Sequence, residues 1–293
     1  MNRRKVILFA ICILSLSVSS CSWLNWKTPS YVDPTPVPTV VYNLSELQVY
    51  FVDVGQGDAI LIDFGLDEIL IDANKKDGLN SFLADHINGD LEYIVVTHSH
   101  ADHISGLSGV FSVFKVDNVW TNGVSSTSQT YADFIEAVNN SGAQTHIARR
   151  GDIISVGNYT LSVLNPPSTL FGDTNDDSVV LKLVYGGVTF LFEGDAEIPA
   201  ENSMIDAGLL SDISVLKVGH HASDTSTSTS FINIVKPEVA VYTAGIGNTY
   251  GHPDSITITN LINANASVYG TDKNGTIEIC TDGNSITHVY TEK

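Results

Sequence analysis

The chain has 293 residues, 43% of them hydrophobic, which suits one large domain or two small ones and excludes wholesale disorder. Its three cysteines cannot staple a disulfide scaffold. A net charge of −19 excludes a protein that grips nucleic acid through a broad basic face, but not a local cationic site made by bound metal.

The N-terminus reads as an address. Arg3, Arg4 and Lys5 precede an apolar run from Val6 to about Val18, and Val18-Ser19-Ser20-Cys21 follows. A positive start, a short apolar core and small residues at a cut site define a secretory signal over residues 1–20. Cys21 at the cut resembles the bacterial lipobox cysteine, which implies a lipid on a new N-terminus. The run is short for a spanning helix. A retained anchor is the alternative, and both readings place the rest of the chain outside the cytoplasm. Removing residues 1–20 takes away three basic side chains and no acidic one, so the exported chain is more acidic still and is repelled by anionic membranes. Attachment then rests on the lipid. Pro29, Pro34, Pro36 and Pro38 make residues 21–44 an extended tether, and residues 45–293 the folded domain.

Within that domain, strands are expected at Leu47–Val54, Ala59–Phe64 and Glu68–Asp72, with Gly55, Gly57 and Gly65 as turn formers. Apolar residues at helical spacing mark Leu79–Ile87. Leu91–Thr97 and Asp117–Thr121 follow as strands, and Tyr131–Ser141 as a helix. The second half is expected to run through strands Tyr159–Leu164, Val179–Tyr185 and Val188–Glu193, then helix Glu197–Ala207 and strand Ile213–Val218. Helix Ser230–Val235, strand Val239–Thr243, helix Ser255–Ala264 and a hairpin near 276–291 complete it. Cys280, in that hairpin, reads as a buried small residue with no disulfide. Strands and helices recurring in both halves predict two sheets with outer helices, an α/β (α+β) sandwich.

Chemistry concentrates in a few segments. Thr97-His98-Ser99-His100-Ala101-Asp102-His103 ends a predicted buried strand. His98 and His100, two apart, point to one side of an extended segment. Three imidazoles and the Asp102 carboxylate so close together suit a borderline divalent metal. Glu193-Gly194-Asp195-Ala196 follows an apolar strand. His220-His221 precedes Ser223, and His252 lies on a Gly-containing loop. One of His220 and His221 is expected to ligate metal or donate a proton. Asp72 ends the strand EILID, and Asp58 sits in GQGD, where a plain turn role is equally open.

The HxHxDH segment resembles the metallo-β-lactamase superfamily, which implies an αββα sandwich of two mixed sheets flanked by helices. Phe51–Ala59 (FVDVGQGDA), Leu216–Ser223 (LKVGHHAS) and Asn248–Pro253 (NTYGHP) are similar to the ComEC-like branch, the hydrolase domain of a DNA-uptake channel. That resemblance runs from about residue 46 to 281, without the channel's membrane portion. It implies two divalent ions, zinc or manganese, held by His98, His100, Asp102, His103, Asp195 and His220. Asp195 would bridge the metals, and Asp72, with Asp58, would orient ligands from behind. Many members carry one more ligand histidine. The matching stretch here, Gly172–Ser178, has none, which leaves His220, His221, Asp176 or Asp177 to complete the first metal.

The implied reaction is hydrolysis of a phosphodiester by water activated on the metals, with His221 or His252 protonating the leaving oxygen and Asp102 essential. Lys217, Lys75 and Lys76 are expected to be solvated. The acidity favours a single strand or a small phosphodiester over duplex DNA. A monomer is expected. A hydrolase of esters, lactones or β-lactams and a non-catalytic surface module are the alternative readings.

Overall fold

A computed structural model describes residues 46–293 of the chain. The expected signal, lipidated Cys21 and tether lie outside the described residues.

The first half runs β1 (Leu47–Phe51), β2 (Ile60–Asp63), β3 (Glu68–Ile71), α1 (Leu79–His86), β4 (Leu91–Val96), α2 (Ala101–Ile104), α3 (Leu107–Val113), β5 (Val116–Thr121), α4 (Gln129–Ser141) and β6 (Gln144–Ile147). The second half begins β7 (Ile153–Val156), β8 (Tyr159–Asn165), β9 (Val180–Tyr185), β10 (Val188–Phe192), α5 (Ile198–Asp206), β11 (Val215–Lys217) and α6 (Thr229–Val235). It ends β12 (Val239–Tyr242), α7 (Ser255–Asn263), β13 (Ser267–Gly270), α8 (Thr271–Asn274), β14 (Ile277–Thr281) and β15 (Ile286–Thr291).

One sheet has the order β15-β14-β1-β2-β3-β4-β5-β6 and the other β13-β12-β11-β10-β9-β8-β7. Each is mixed. β1, β2 and β3 are antiparallel neighbours, whereas β3 to β6 run parallel. β7 to β10 are antiparallel, and β10 to β13 parallel.

Both faces of the central strands are covered, and the strand sequences show why. In β1 to β3, Val49, Phe51, Ile60, Ile62, Ile69 and Ile71 face the opposite sheet. Their neighbours Tyr50, Leu61 and Leu70 face a helical layer that includes Leu79 and Leu83 of α1 and Phe134 of α4. The second sheet repeats the device. Phe190, Phe192, Val215 and Val241 point between the sheets, and Leu191, Leu216 and Ala240 point at α5, α6 and α7. Strands buried on both faces read as near-continuous apolar runs, and the four layers follow.

Several elements were not expected: α2, α3, β6, β7, β13, α8 and a kinked turn at Gly219–Ala222. β6 and β7 lie at sheet edges, β6 largely exposed and β7 exposing alternate residues, so they lack the apolar run of a central strand. α3 contains Gly109 and two valines, which lower helix propensity. Asp102 and His103 lie in α2. His86 of α1 is half-buried and stacks on Phe82, with ring centroids 4.2 Å apart. Cys280 is buried and forms no disulfide.

Candidate metal centre

Five segments that leave the C-terminal ends of β3, β4, β10, β11 and β12 carry the functional side chains to one edge of the sandwich. They supply Asp72, the run from His98 to His103, Asp195, His220 with His221, and Thr243. The backbone there is under strain. Asp72 has φ +56°, and His220, His221 and Ala222 have φ +43°, +53° and +63°. Left-handed backbone in non-glycine residues costs on the order of 1–3 kcal/mol each and clusters at functional sites. The 220–222 turn is fastened around its edge. The His220 amide donates to the Gly194 carbonyl (3.1 Å), Ser226 Oγ to the Gly219 carbonyl (2.7 Å), and the Asp254 amide to the Ala222 carbonyl (2.9 Å).

Tautomers follow from the hydrogen bonds behind each ring. His103 donates from Nδ1 to Asp72 Oδ2 (2.8 Å), leaving Nε2 to face Asp195 Oδ2 at 3.2 Å. Asp72 is itself fixed by the Thr97 amide (2.8 Å) and hydroxyl (2.6 Å). His221 donates from Nδ1 to the Thr243 carbonyl (2.9 Å). Its Nε2 lies 3.4 Å from Asp102 Oδ2 and 3.6 Å from Asp195 Oδ1. His98 Nε2 stands 3.0 Å from His100 Nδ1 and 3.7 Å from Asp195 Oδ2. His220 Nε2 reaches within 3.9 Å of Asp195 Oδ2, with Nδ1 on Glu197 Oε1 at 2.8 Å.

This arrangement fits divalent cations. His103 Nε2, His221 Nε2 and Asp195 Oδ1 are buried without a hydrogen-bond partner, an expensive condition unless something else satisfies them. Two imidazole nitrogens on one tetrahedral zinc lie about 3.3 Å apart, close to the His98–His100 spacing. His98, His103 and Asp195 offer ligand atoms within 4.8 Å of one another, as do Asp102, His103 and His221. The electrostatics agree. Burial, then the neighbouring His103, holds His98 well below its ordinary pKa and so neutral. Burial also acts to lower His103, but Asp195 and Asp72 overcome it and push His103 well above the ordinary value. Carboxylates that make an imidazole so basic attract a cation equally well.

Beneath the cluster, Asp58 is buried. Its Oδ1 accepts the Thr243 hydroxyl and lies 3.5 Å from His221 Nδ1, and its Oδ2 lies 2.9 Å from Lys217 Nζ. Lys217 is fully buried, which corrects its expected solvation. Lys76 pairs with Asp53 (2.8 Å) beyond the pocket. Gly57 explains the GQGD turn: a Cβ there would stand 2.2 Å from the Asp102 carbonyl, at φ +134°. The turn can therefore press directly on α2, and the Asp58 amide donates to that same carbonyl (3.1 Å).

The spare acids are occupied elsewhere. Asp177 accepts the amides of Phe171 (2.8 Å) and Gly172 (3.1 Å), and Asp176 those of Glu197 (3.3 Å) and Ala200 (3.2 Å). Where a further histidine was sought, Ser178 stands instead, its Oγ 3.4 Å from His98 Nδ1 and accepting the Asp195 amide at 3.2 Å. His252 stands apart from the buried cluster, with Nδ1 3.3 Å from Asp254 Oδ2 and its ring centroid 5.5 Å from that of His220. Thr97, Thr243, Ser178 and Glu197 were not singled out from sequence. Only Thr97 carried a signal, as the residue before His98.

The cluster floors an open pocket of about 580 Å³, walled by Gln56, Asn74, Ser105, Tyr250 and His252. A larger cavity of about 740 Å³ adjoins it at Ser105. Its wall carries Asp77, Asp133 and Glu136 and no histidine, so the chemistry belongs to the smaller pocket.

Residues 47–245 match the model of the metallo-beta-lactamase superfamily. The chain belongs to that superfamily. Among curated relatives, this metallo-β-lactamase chain is 27% identical over 255 residues to ComE operon protein 3 of Bacillus subtilis (strain 168), covering 80% of the chain and 33% of the relative. It is 30% identical over 216 residues to competence protein ComA of Neisseria gonorrhoeae, covering 71% of the chain and 28% of the relative. The chain thus spans a third or less of these proteins. The solved metallo-β-lactamase-fold protein YhfI from Bacillus subtilis shares the fold, with TM-score 0.54 at 12% identity over 80% of this chain and 100% of YhfI. The protein is a ComEC-like metallo-β-lactamase-fold, metal-dependent hydrolase. No helix among the described residues is long and apolar enough to cross a membrane.

Proposed function

We propose that this hydrolase is an exported phosphodiesterase acting on single-stranded nucleic acid or small phosphodiesters. The observation that carries the reading is the set of buried ligand atoms without hydrogen-bond partners on His103, His221 and Asp195, of which His221 and Asp195 line an open pocket. The competence relatives support nucleic acid as the substrate.

His98, His100 and His220 would hold one divalent ion, zinc or manganese, and Asp102, His103 and His221 the other, with the Asp195 carboxylate between the two groups. His221 thus moves from proton donor to ligand, because its Nδ1 is committed to Thr243 and its Nε2 is buried between two carboxylates. Bound divalent ions supply Lewis acidity and an activated water. Asp72 holds His103, and the Thr243 carbonyl holds His221, in the ligating tautomer from behind, with Asp58 accepting the Thr243 hydroxyl. His252, backed by Asp254, is the group at the wall that hands a proton to the leaving oxygen. The acidic surface steers long duplexes away, and attachment to the cell rests on a lipid at Cys21. The protein acts as a monomer.

The test is cleavage of an end-labelled single-stranded oligonucleotide by the purified protein, stripped and then loaded with manganese or zinc. Nitrocefin and an aryl ester run alongside. Cutting that needs metal and falls at least about a hundredfold in Asp102→Ala supports the reading. Turnover of the acyl substrates with no strand cleavage would overturn it.

A further inference from the structure

The pocket rim carries an aromatic ring with no structural task. Tyr250 stands on the loop after β12, is 69% exposed, and is the most exposed aromatic residue among those described. It lines the pocket of the metal-ligand cluster. Its ring lies nearly parallel to that of His252, 8° apart with centroids separated by 6.1 Å.

The loop that presents it is braced. Asn248 Oδ1 accepts the amides of Tyr250 (3.1 Å), Gly251 (3.0 Å) and His252 (3.1 Å). Its Nδ2 donates to the carbonyls of Gly245 (3.0 Å) and His252 (2.5 Å). One side chain thus organises the whole turn, and Tyr250 is held outward. A large ring held by a braced loop at the rim of a site is placed where it can meet a ligand.

We propose that Tyr250 is a stacking platform for the base next to the scissile phosphate, extending the His252–Tyr250 stack by one ring, so that the site selects an unpaired nucleotide. This rests on the phosphodiesterase reading. Every base has a face to stack, so the contact is sequence-tolerant and needs no positive charge. That suits a protein of net charge −19, which cannot draw affinity from phosphates over a wide surface. Duplex bases are already stacked on each other and cannot reach the ring without being splayed out. Single-strand preference then has an attractive cause beside the repulsion of duplexes.

The experiment uses a single-stranded oligonucleotide carrying one 2-aminopurine, bound to the purified metal-loaded protein, and the same strand with an abasic position there. Wild type is expected to quench the probe and to bind the abasic strand at least about fivefold more weakly, the low end for one base–aromatic stack. Tyr250→Ala is expected to lose the quenching and to bind both strands equally. Tyr250→Phe and Tyr250→Trp are expected to keep quenching and discrimination. Independent losses from Tyr250→Ala and from the abasic position, or Phe failing as badly as Ala, would overturn the platform. Absence of quenching in wild type would also overturn it and leave the loop to a protein partner. Quenching without any strand cleavage would refute the phosphodiesterase reading while the platform stands. Cleavage with no Tyr250 dependence would do the reverse.

Discussion

Replacing Lys217 by methionine keeps most of the aliphatic stem and removes the ammonium. The side chain is fully buried, with Nζ 2.9 Å from Asp58 Oδ2 and donating to the Val218 carbonyl at 3.0 Å. Without it, the Asp58 carboxylate keeps the Thr243 hydroxyl and no cationic lysine. Burial alone would raise the Asp58 pKa, and Lys217 is the foremost of the charges that hold it below the ordinary range. Breaking a buried pair from one side costs about 3–5 kcal/mol. For a domain of this size that corresponds to a fall of about 6–20 °C in Tm. Adding Asp58→Asn removes the stranded charge, so the double variant should recover about 2–3 kcal/mol of the summed single losses. The assay is urea unfolding followed by circular dichroism, in chelator so that metal linkage does not contribute. Single losses that add to within about 0.5 kcal/mol, or a Lys217→Met cost below about 1 kcal/mol, would refute the buried pair as the support under His221.

Other expectations follow from named contacts. Glu68 is buried beside Glu92 and Asp63, and burial chiefly, then those neighbours, raises its pKa from 4.5 to about 7. The folded state therefore holds a proton that the unfolded state has released, and stability falls as pH rises from 4.5 to 7. Glu68→Gln should stabilise the protein by about 1–3 kcal/mol at pH 8 and much less at pH 4.5, read by urea unfolding at both values. A Cβ on Gly270 would stand 1.9 Å from Tyr242 Cζ, at the hydroxyl end of a buried ring. Gly270→Ala should cost about 3 kcal/mol in the same assay, and a neutral result would place Tyr242 elsewhere. Chelation should lower Tm, and free metal at about a thousand times Kd should restore about 4 kcal/mol. His98→Ala with an unchanged metal-dependent rise in Tm would remove His98 from the ligand set.

Much of this was legible in the residues. Central strands such as Ile60–Asp63 and Val188–Phe192 announce themselves because both faces are buried, and the HxHxDH run concentrates metal-ligand chemistry where a strand ends. Edge strands do not: Gln144–Ile147 and Ser267–Gly270 expose polar residues and carry no apolar run. Lys217 reads as solvated because lysines usually are, and its burial depends on Asp58, far away in sequence. The roles of His220 and His221 could not be divided from their order. Three successive left-handed residues turn the adjacent rings to different carboxylates, and that is a property of backbone angles rather than of residue type. Ser178 and Thr243 escaped for a similar reason, since a hydroxyl behind a ligand leaves no spacing pattern.

On the proposed function the His/Asp cluster is a two-cation centre with Asp195 between the ions. Bound metal per chain, measured by plasma mass spectrometry after loading with zinc or manganese and desalting, tests it most directly. About two ions are expected in the wild type and fewer than one in Asp195→Ala. No retained metal in a folded wild type, or two ions still held by Asp195→Ala, would contradict it.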